Sequence, residues 1–191
     1  MAMRALRGGG IVGVPTDTVY GLAADPFHAG VTDRLFALKR RPRRVELPVL
    51  VASADQAMFL TVAVPEPAHH LMARYWPGPL TLVLPRRPDL NADLGEDDAT
   101  IGVRCPAHPV PLALCAATGP LATTSANRHG QAPCSTAAQV EAEFGEGVDA
   151  VLDAGTLLGS PSTVVDCTGA EPRLLREGRL AWADILIAAK G

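Results

Sequence analysis

The chain is poor in aromatics, which make up 4% of its 191 residues, and it holds two lysines against fifteen arginines. Its four cysteines (Cys105, Cys115, Cys134 and Cys167) are scattered without any Cys-x-x-Cys spacing. That pattern excludes a zinc ribbon or a disulfide framework and reads as reduced, partly buried thiols. Long apolar runs are missing too, since each is broken by Pro, Gly or charge well short of a membrane span. Met1 to Arg7 runs into glycines instead of a signal-peptide core, so the expectation is a cytoplasmic protein with no membrane partner. There is no Gly-x-x-x-x-Gly-Lys-Ser/Thr, no His-Glu-x-x-His and no Gly-x-Ser-x-Gly, and the five histidines lack metal-ligand spacing. No metal site is expected. Gly8, Gly10 and Gly13 match Gly-x-Gly-x-x-Gly, but they precede the apolar strand that a dinucleotide fingerprint must follow.

What is present suits a single α/β domain over residues 1–191, with 48% hydrophobic residues and a net charge of -3 that argues against general nucleic-acid binding. Apolar periodicity predicts helices over 31–41, 54–60, 65–76, 109–117 and 180–190, with Thr136 and Gln139 opening another as a capping box. Strands are expected at 11–14, 48–52, 80–84, 100–104, 121–124, 150–153, 163–166 and 173–175, and 86–99 reads as a surface loop. Strands and helices alternate and then strands cluster, which predicts a mixed parallel and antiparallel sheet flanked by helices.

Ile11 to Leu22 organises the rest. Pro15 ends a short apolar strand, and Thr16, Asp17 and Thr18 follow at once. Lys39 and Arg41 stand in a crowded basic run at 39–44, two apart, and in an extended segment would face one anion together. Ser125 and Asn127 follow another apolar strand, small hydroxyls lead into Thr163–Asp166, and Arg104 and Arg176 end strands. Singly, each group has a plainer reading: Thr16 or Asp17 as a helix cap, the basic run as solvated surface, Ser125 and Asn127 as turn stabilisers. Together they make a pocket with anion-binding groups in excess, suited to catalysis by positioning and charge.

These residues closely resemble the YrdC-type threonylcarbamoyl-AMP synthases over about Leu6 to Arg179. The likeness rests on Pro-Thr-Asp-Thr-Val-Tyr-Gly-Leu at 15–22, Lys-x-Arg at 39–41, Pro-Gly-Pro-Leu-Thr at 77–81 and Arg104-x-Pro106. It continues through Ser-Ala-Asn at 125–127, Ser-Thr-Val-Val-Asp at 162–166 and Arg-x-Gly at 176–178. Membership implies a twisted α/β sheet with a positively charged cavity. It implies that L-threonine, bicarbonate or CO2 and ATP with Mg2+ give threonylcarbamoyl-AMP and pyrophosphate. The product would serve a separate tRNA threonylcarbamoyl transferase. By the same resemblance Thr16, Arg104, Ser125, Ser162 and Tyr20 would hold threonine or its carbamate. Lys39, Arg41, Thr81, Asn127 and Arg176 would hold the nucleotide, with Lys39 and Arg41 catalytic. The alternative is a YciO-like module that binds double-stranded RNA through Arg40 to Arg44.

Overall fold

Alternation of side chains along the first strand sets the layers. In β1 (Val12–Val14), the two valines face a helical layer made by α1 (Ala2–Arg7) and α5 (Pro109–Thr118). Gly13 faces the other way, where a Cβ would stand 3.1 Å from Val140 of α6 (Ala137–Phe144). The computed structural model describes all residues, Met1 to Gly191.

The remaining strands are β2 (Gly21–Ala24), β3 (Val49–Leu50), β4 (Leu80–Pro85), β5 (Thr100–Arg104), β6 (Leu121–Ser125), β7 (Ala150–Val151), β8 (Thr163–Asp166) and β9 (Arg173–Arg176). They form one nine-stranded sheet in the order β7-β1-β2-β6-β3-β5-β4-β8-β9. Parallel pairs (β1 with β7, β3 with β5, β4 with β8) mix with antiparallel ones, as the clustering of strands predicts. Its main core lies between the sheet and α2 (Val31–Lys39), α3 (Ala54–Leu60), α4 (Glu66–Tyr75), α6 and α7 (Trp182–Ala188). Ser53 caps α3 by accepting from the Gln56 N–H. No helix is long and apolar enough to cross a membrane.

Two expectations change. The stretch 86–99 is irregular, but it is not a surface loop: Leu90, Ala92 and Leu94 are buried in the core. Arg86, also buried, holds it by donating to the Leu90 and Ala92 carbonyls, which replaces the hydrogen bonds a regular element would make. Helix α2 stops at Lys39, not Arg41, because Arg40 takes a left-handed conformation at φ 53°. That turn, unusual for a residue with a Cβ, sends Lys39 and Arg41 in different directions.

Candidate functional site

A hollow of about 150 Å³ is lined by the β1–β2 connection, by β4, β5, β6 and β9, by the segment entering β8, and by Arg41. A second hollow of about 320 Å³ shares Arg41, Pro48, Thr81, Ser162 and Arg176 with it and extends over the apolar Leu47, Val83, Leu94, Ile101 and Leu175. The first is smaller than the usual drug-sized pocket and the second falls within that class. Three arginines and no carboxylate line the small hollow.

The connection between β1 and β2 is held from within. Thr16 Oγ1 donates to the Val19 carbonyl (2.6 Å) and accepts from the Thr18 and Val19 N–H groups, with Thr18 Oγ1 at 2.9 Å. A hydroxyl has one proton and two lone pairs, so Thr16 lines the hollow with its bonding capacity spent. Tyr20 is similar. Its ring lines the wall, while its hydroxyl donates to the Gly155 carbonyl (2.9 Å) and accepts from the Ala154 N–H (3.0 Å). These bonds tether the long β7–β8 connection, which returns over the hollow. Gly159 passes so close to Thr18 that a Cβ would lie 2.2 Å from its carbonyl oxygen.

Arg104, at the end of β5, is buried beneath this loop. Its Nε donates to the Gly78 carbonyl, Nη1 to Thr18 Oγ1 (3.1 Å) and Nη2 to Asp17 Oδ1 (2.6 Å). Their side chains are 8% and 11% exposed, so this is a buried ion pair, and Asp17 Oδ2 has no partner. Two guanidinium N–H groups of Arg104 remain for a ligand.

Arg41 and Arg176 stand where the hollows meet. Arg41 donates through Nε and Nη2 to the carbonyls of Val45 and Glu46 (both 2.7 Å), leaving Nη1 only 3.5 Å from Thr124 Oγ1. Arg176 donates to the Ser162 carbonyl from Nε and Nη2, and its Nη1 makes no bond within the protein. Ser162 and Thr81 hydroxyls lie 2.9 Å apart. Burial lowers the pKa of all three guanidiniums, and the charge of Arg176 adds to the lowering at Arg41 and Arg104. They stay cationic nonetheless. Concentrated, mutually opposed positive charge is a demand for an anion.

Thus Thr16, Tyr20, Arg41, Thr81, Arg104, Ser125, Ser162 and Arg176 all line the small hollow. Lys39 and Asn127 do not line either hollow. Lys39 is 1% exposed, and its ammonium donates to the carbonyls of Ser125 and Asn127, both at 2.5 Å. Of the five clustered cations, Arg43 is paired with Asp33 and Asp93, and only Arg40 and Arg44 are both exposed and without an ion pair. Sequence reasoning named Thr18 only as part of its cluster and passed over Thr123 and Thr124 as lining residues. The repeated hydroxyls beside Thr16 and Ser125 were the available signal.

The Sua5/YciO/YrdC family, described as "telomere recombination", matches residues 4–178. A putative threonylcarbamoyl-AMP synthase of Mycobacterium tuberculosis is 40% identical over 178 residues, covering 93% of this chain and 82% of that protein. The structure of Pyrococcus abyssi Sua5 complexed with L-threonine superimposes with a TM-score of 0.89 at 36% identity, over 98% of this chain and 56% of that one. This chain therefore spans little more than half of the archaeal protein. The crystal structure of E. coli YciO gives a TM-score of 0.87 at 26% identity, over 97% and 90% of the two chains. The family match takes in every lining residue from Thr16 to Arg176, and the chain belongs to the Sua5/YciO/YrdC family.

Proposed function

We propose that this protein is an L-threonylcarbamoyl-AMP synthase, which converts L-threonine, bicarbonate or CO2 and ATP into threonylcarbamoyl-AMP and pyrophosphate. The observation that carries the reading is the pair of connected hollows with Arg41 and Arg176 at their junction. The small polar hollow suits an amino acid and the apolar-walled one a nucleoside. Their shared cations suit the phosphates between the two. Relatives named threonylcarbamoyl-AMP synthase support the same reading.

In the proposed reaction, the threonine nitrogen takes up CO2 and loses a proton to become a carbamate. A carbamate oxygen then attacks the α-phosphorus of ATP, the bond to the bridging oxygen breaks, and pyrophosphate leaves with the electron pair. No protein nucleophile is needed. The obstacle is an anion meeting a polyanion, which Arg41 and Arg176 offset at the junction while Arg104 receives the amino acid's carboxylate. Thr81 and Ser162 offer hydroxyls at the same place. Magnesium enters with the nucleotide. The sole carboxylate on either wall is Glu46, whose Oε1 accepts from the Glu96 and Asp97 N–H groups while its buried Oε2 has no partner, so the nucleotide's phosphate oxygens would be the metal's main ligands.

The product would pass to a tRNA-modifying transferase, and the reaction would run in the cytoplasm. RNA binding by the basic run is the weaker reading, because Arg43 is neutralised by two carboxylates and Lys39 and Arg41 point inward. The test is pyrophosphate release with purified protein, with mass spectrometry of the product. Release that needs both threonine and bicarbonate, with the threonylcarbamoyl-AMP mass, supports the synthase. Release indifferent to threonine refutes it.

A further inference from the structure

The loop after β6 contains a hydrogen-bond chain that fixes which way one cavity hydroxyl can act. Asn127 donates its amide N–H groups to the carbonyls of Arg128 (2.7 Å) and Gln131 (2.9 Å), which settles the orientation of the carboxamide. Its Oδ1 therefore faces Ser125, and the Ser125 hydroxyl donates to it at 2.5 Å. Lys39 stands behind both, on the Ser125 and Asn127 carbonyls and 3.4 Å from the same Oδ1. No carboxylate pairs with the Lys39 ammonium, so its charge is spent on holding this loop. With its single proton committed, Ser125 can offer only lone pairs to the hollow it lines.

In a hollow whose three cations all donate, an obligate acceptor selects a different part of the substrate. We infer that Ser125 receives an N–H from the amino acid's nitrogen, and that Lys39 and Asn127 are positioning residues that keep its hydroxyl turned away, without touching substrate. This inference rests on the synthase reading and adds the direction in which threonine lies: nitrogen toward the end of β6, carboxylate toward Arg104. It also gives Lys39 a role distinct from that of Arg41, which does reach the junction of the hollows.

Acceptance from nitrogen is testable with a ligand that lacks it. Threonine and 3-hydroxybutanoate differ only by the amino group, so the ratio of their Kd values, measured by NMR titration without ATP, isolates this contact. A general loosening of the fold weakens both ligands and leaves the ratio alone. The parent chain is expected to prefer threonine by tenfold or more, on the order of one hydrogen bond to a charged or polar N–H. Ser125→Ala should bring the ratio to about 1 by removing the acceptor. Lys39→Gln should shrink it several-fold. Asn127→Ala does the same by releasing the serine proton, and it carries the test if the lysine variant does not fold. A ratio unchanged in Ser125→Ala overturns the assignment of the nitrogen. Lys39→Gln and Asn127→Ala variants that weaken ATP alone, with the ratio intact, overturn the positioning role. A parent chain that binds ATP but no threonine overturns the synthase reading and this inference with it.

Discussion

Replacing Asp17 by Asn should make the protein less stable and its pocket more attractive to anions. The Asp17–Arg104 pair is buried, with the two side chains 11% and 8% exposed. Removing one charge from such a pair strands the other, at a typical cost of about 3–5 kcal/mol. Asparagine's carbonyl still accepts from Arg104 Nη2, and Gly78 and Thr18 still accept from Nε and Nη1, so the lower end, about 3 kcal/mol, is expected. At roughly 2–4 °C per kcal/mol for a chain of this length, Tm should fall by about 6–12 °C. The same change leaves Arg104 without its counter-charge on the wall of a hollow that already holds Arg41 and Arg176. Pyrophosphate should therefore bind more tightly, by on the order of 1–2 kcal/mol over a separation of several ångströms at an effective dielectric near 20. Thermal melts with and without pyrophosphate read both quantities together. The variant's melting point should start lower and rise further with ligand. A melting point within 2 °C of the parent's, or a smaller rise with pyrophosphate, would show that Asp17 is not what balances Arg104.

Arg176→Ala should weaken ATP binding about tenfold to a hundredfold, as expected for one charge at a phosphate site, while costing only about 1 kcal/mol of stability. Isothermal titration and a melt separate these two effects. Tyr20→Phe removes the hydroxyl's contacts with Asp153, Ala154 and Gly155 of the β7–β8 connection, so limited proteolysis within 153–162 should accelerate while the core melts nearly as before. Burial, reinforced by the charge of Arg41, brings the Lys39 ammonium down to about 8. It is charged below that pH and neutral above it, so its hold on the Ser125–Asn127 loop, and with it the preference for threonine over 3-hydroxybutanoate, should fall as pH rises through 8, and Lys39→Gln should flatten that dependence. The stability effect has the opposite sign. The unfolded lysine keeps its proton up to its ordinary value of 10.5, so the cost of burying the charge is relieved as pH rises from about 8 towards that value.

Most of the architecture was legible because the rules that set it are local. Ser53 capped its helix, Pro15 closed β1, and the apolar runs at 80–84, 100–104 and 121–124 became strands, while the strand Gly21–Ala24 lay outside every expectation. The stretch 86–99 misled because its polar composition outweighs three buried apolar side chains, and the arginine at its own start, Arg86 just past β4, is buried with them and bonds the Leu90 and Ala92 carbonyls. The site was legible as a collection and not as a set of roles. Arg104, Ser125, Ser162 and Arg176 sit at strand ends, where the chain's own order puts them, and they converge because the strands converge.

Roles depend on what each polar atom has left to give after the fold has used it. Thr16 looks like a ligand in sequence, but three bonds to Thr18 and Val19 within its own loop exhaust its hydroxyl. Lys39 and Arg41 look interchangeable, yet one left-handed residue between them turns the first onto two carbonyls and leaves the second at the junction of the hollows. Neither outcome can be read from residue type, because a threonine with a spent proton and one with a free proton are the same letter. On the synthase reading, substrate contact would fall to the groups with spare capacity: Arg104 with two N–H groups, Arg41 and Arg176 with their Nη1, Thr124 with its proton, and Ser125 with its lone pairs. Arranged around one hollow, these donors face the acceptor end of β6, where Ser125 and Thr123 both have their hydroxyl protons committed, and that asymmetry can hold an amino acid in a single orientation.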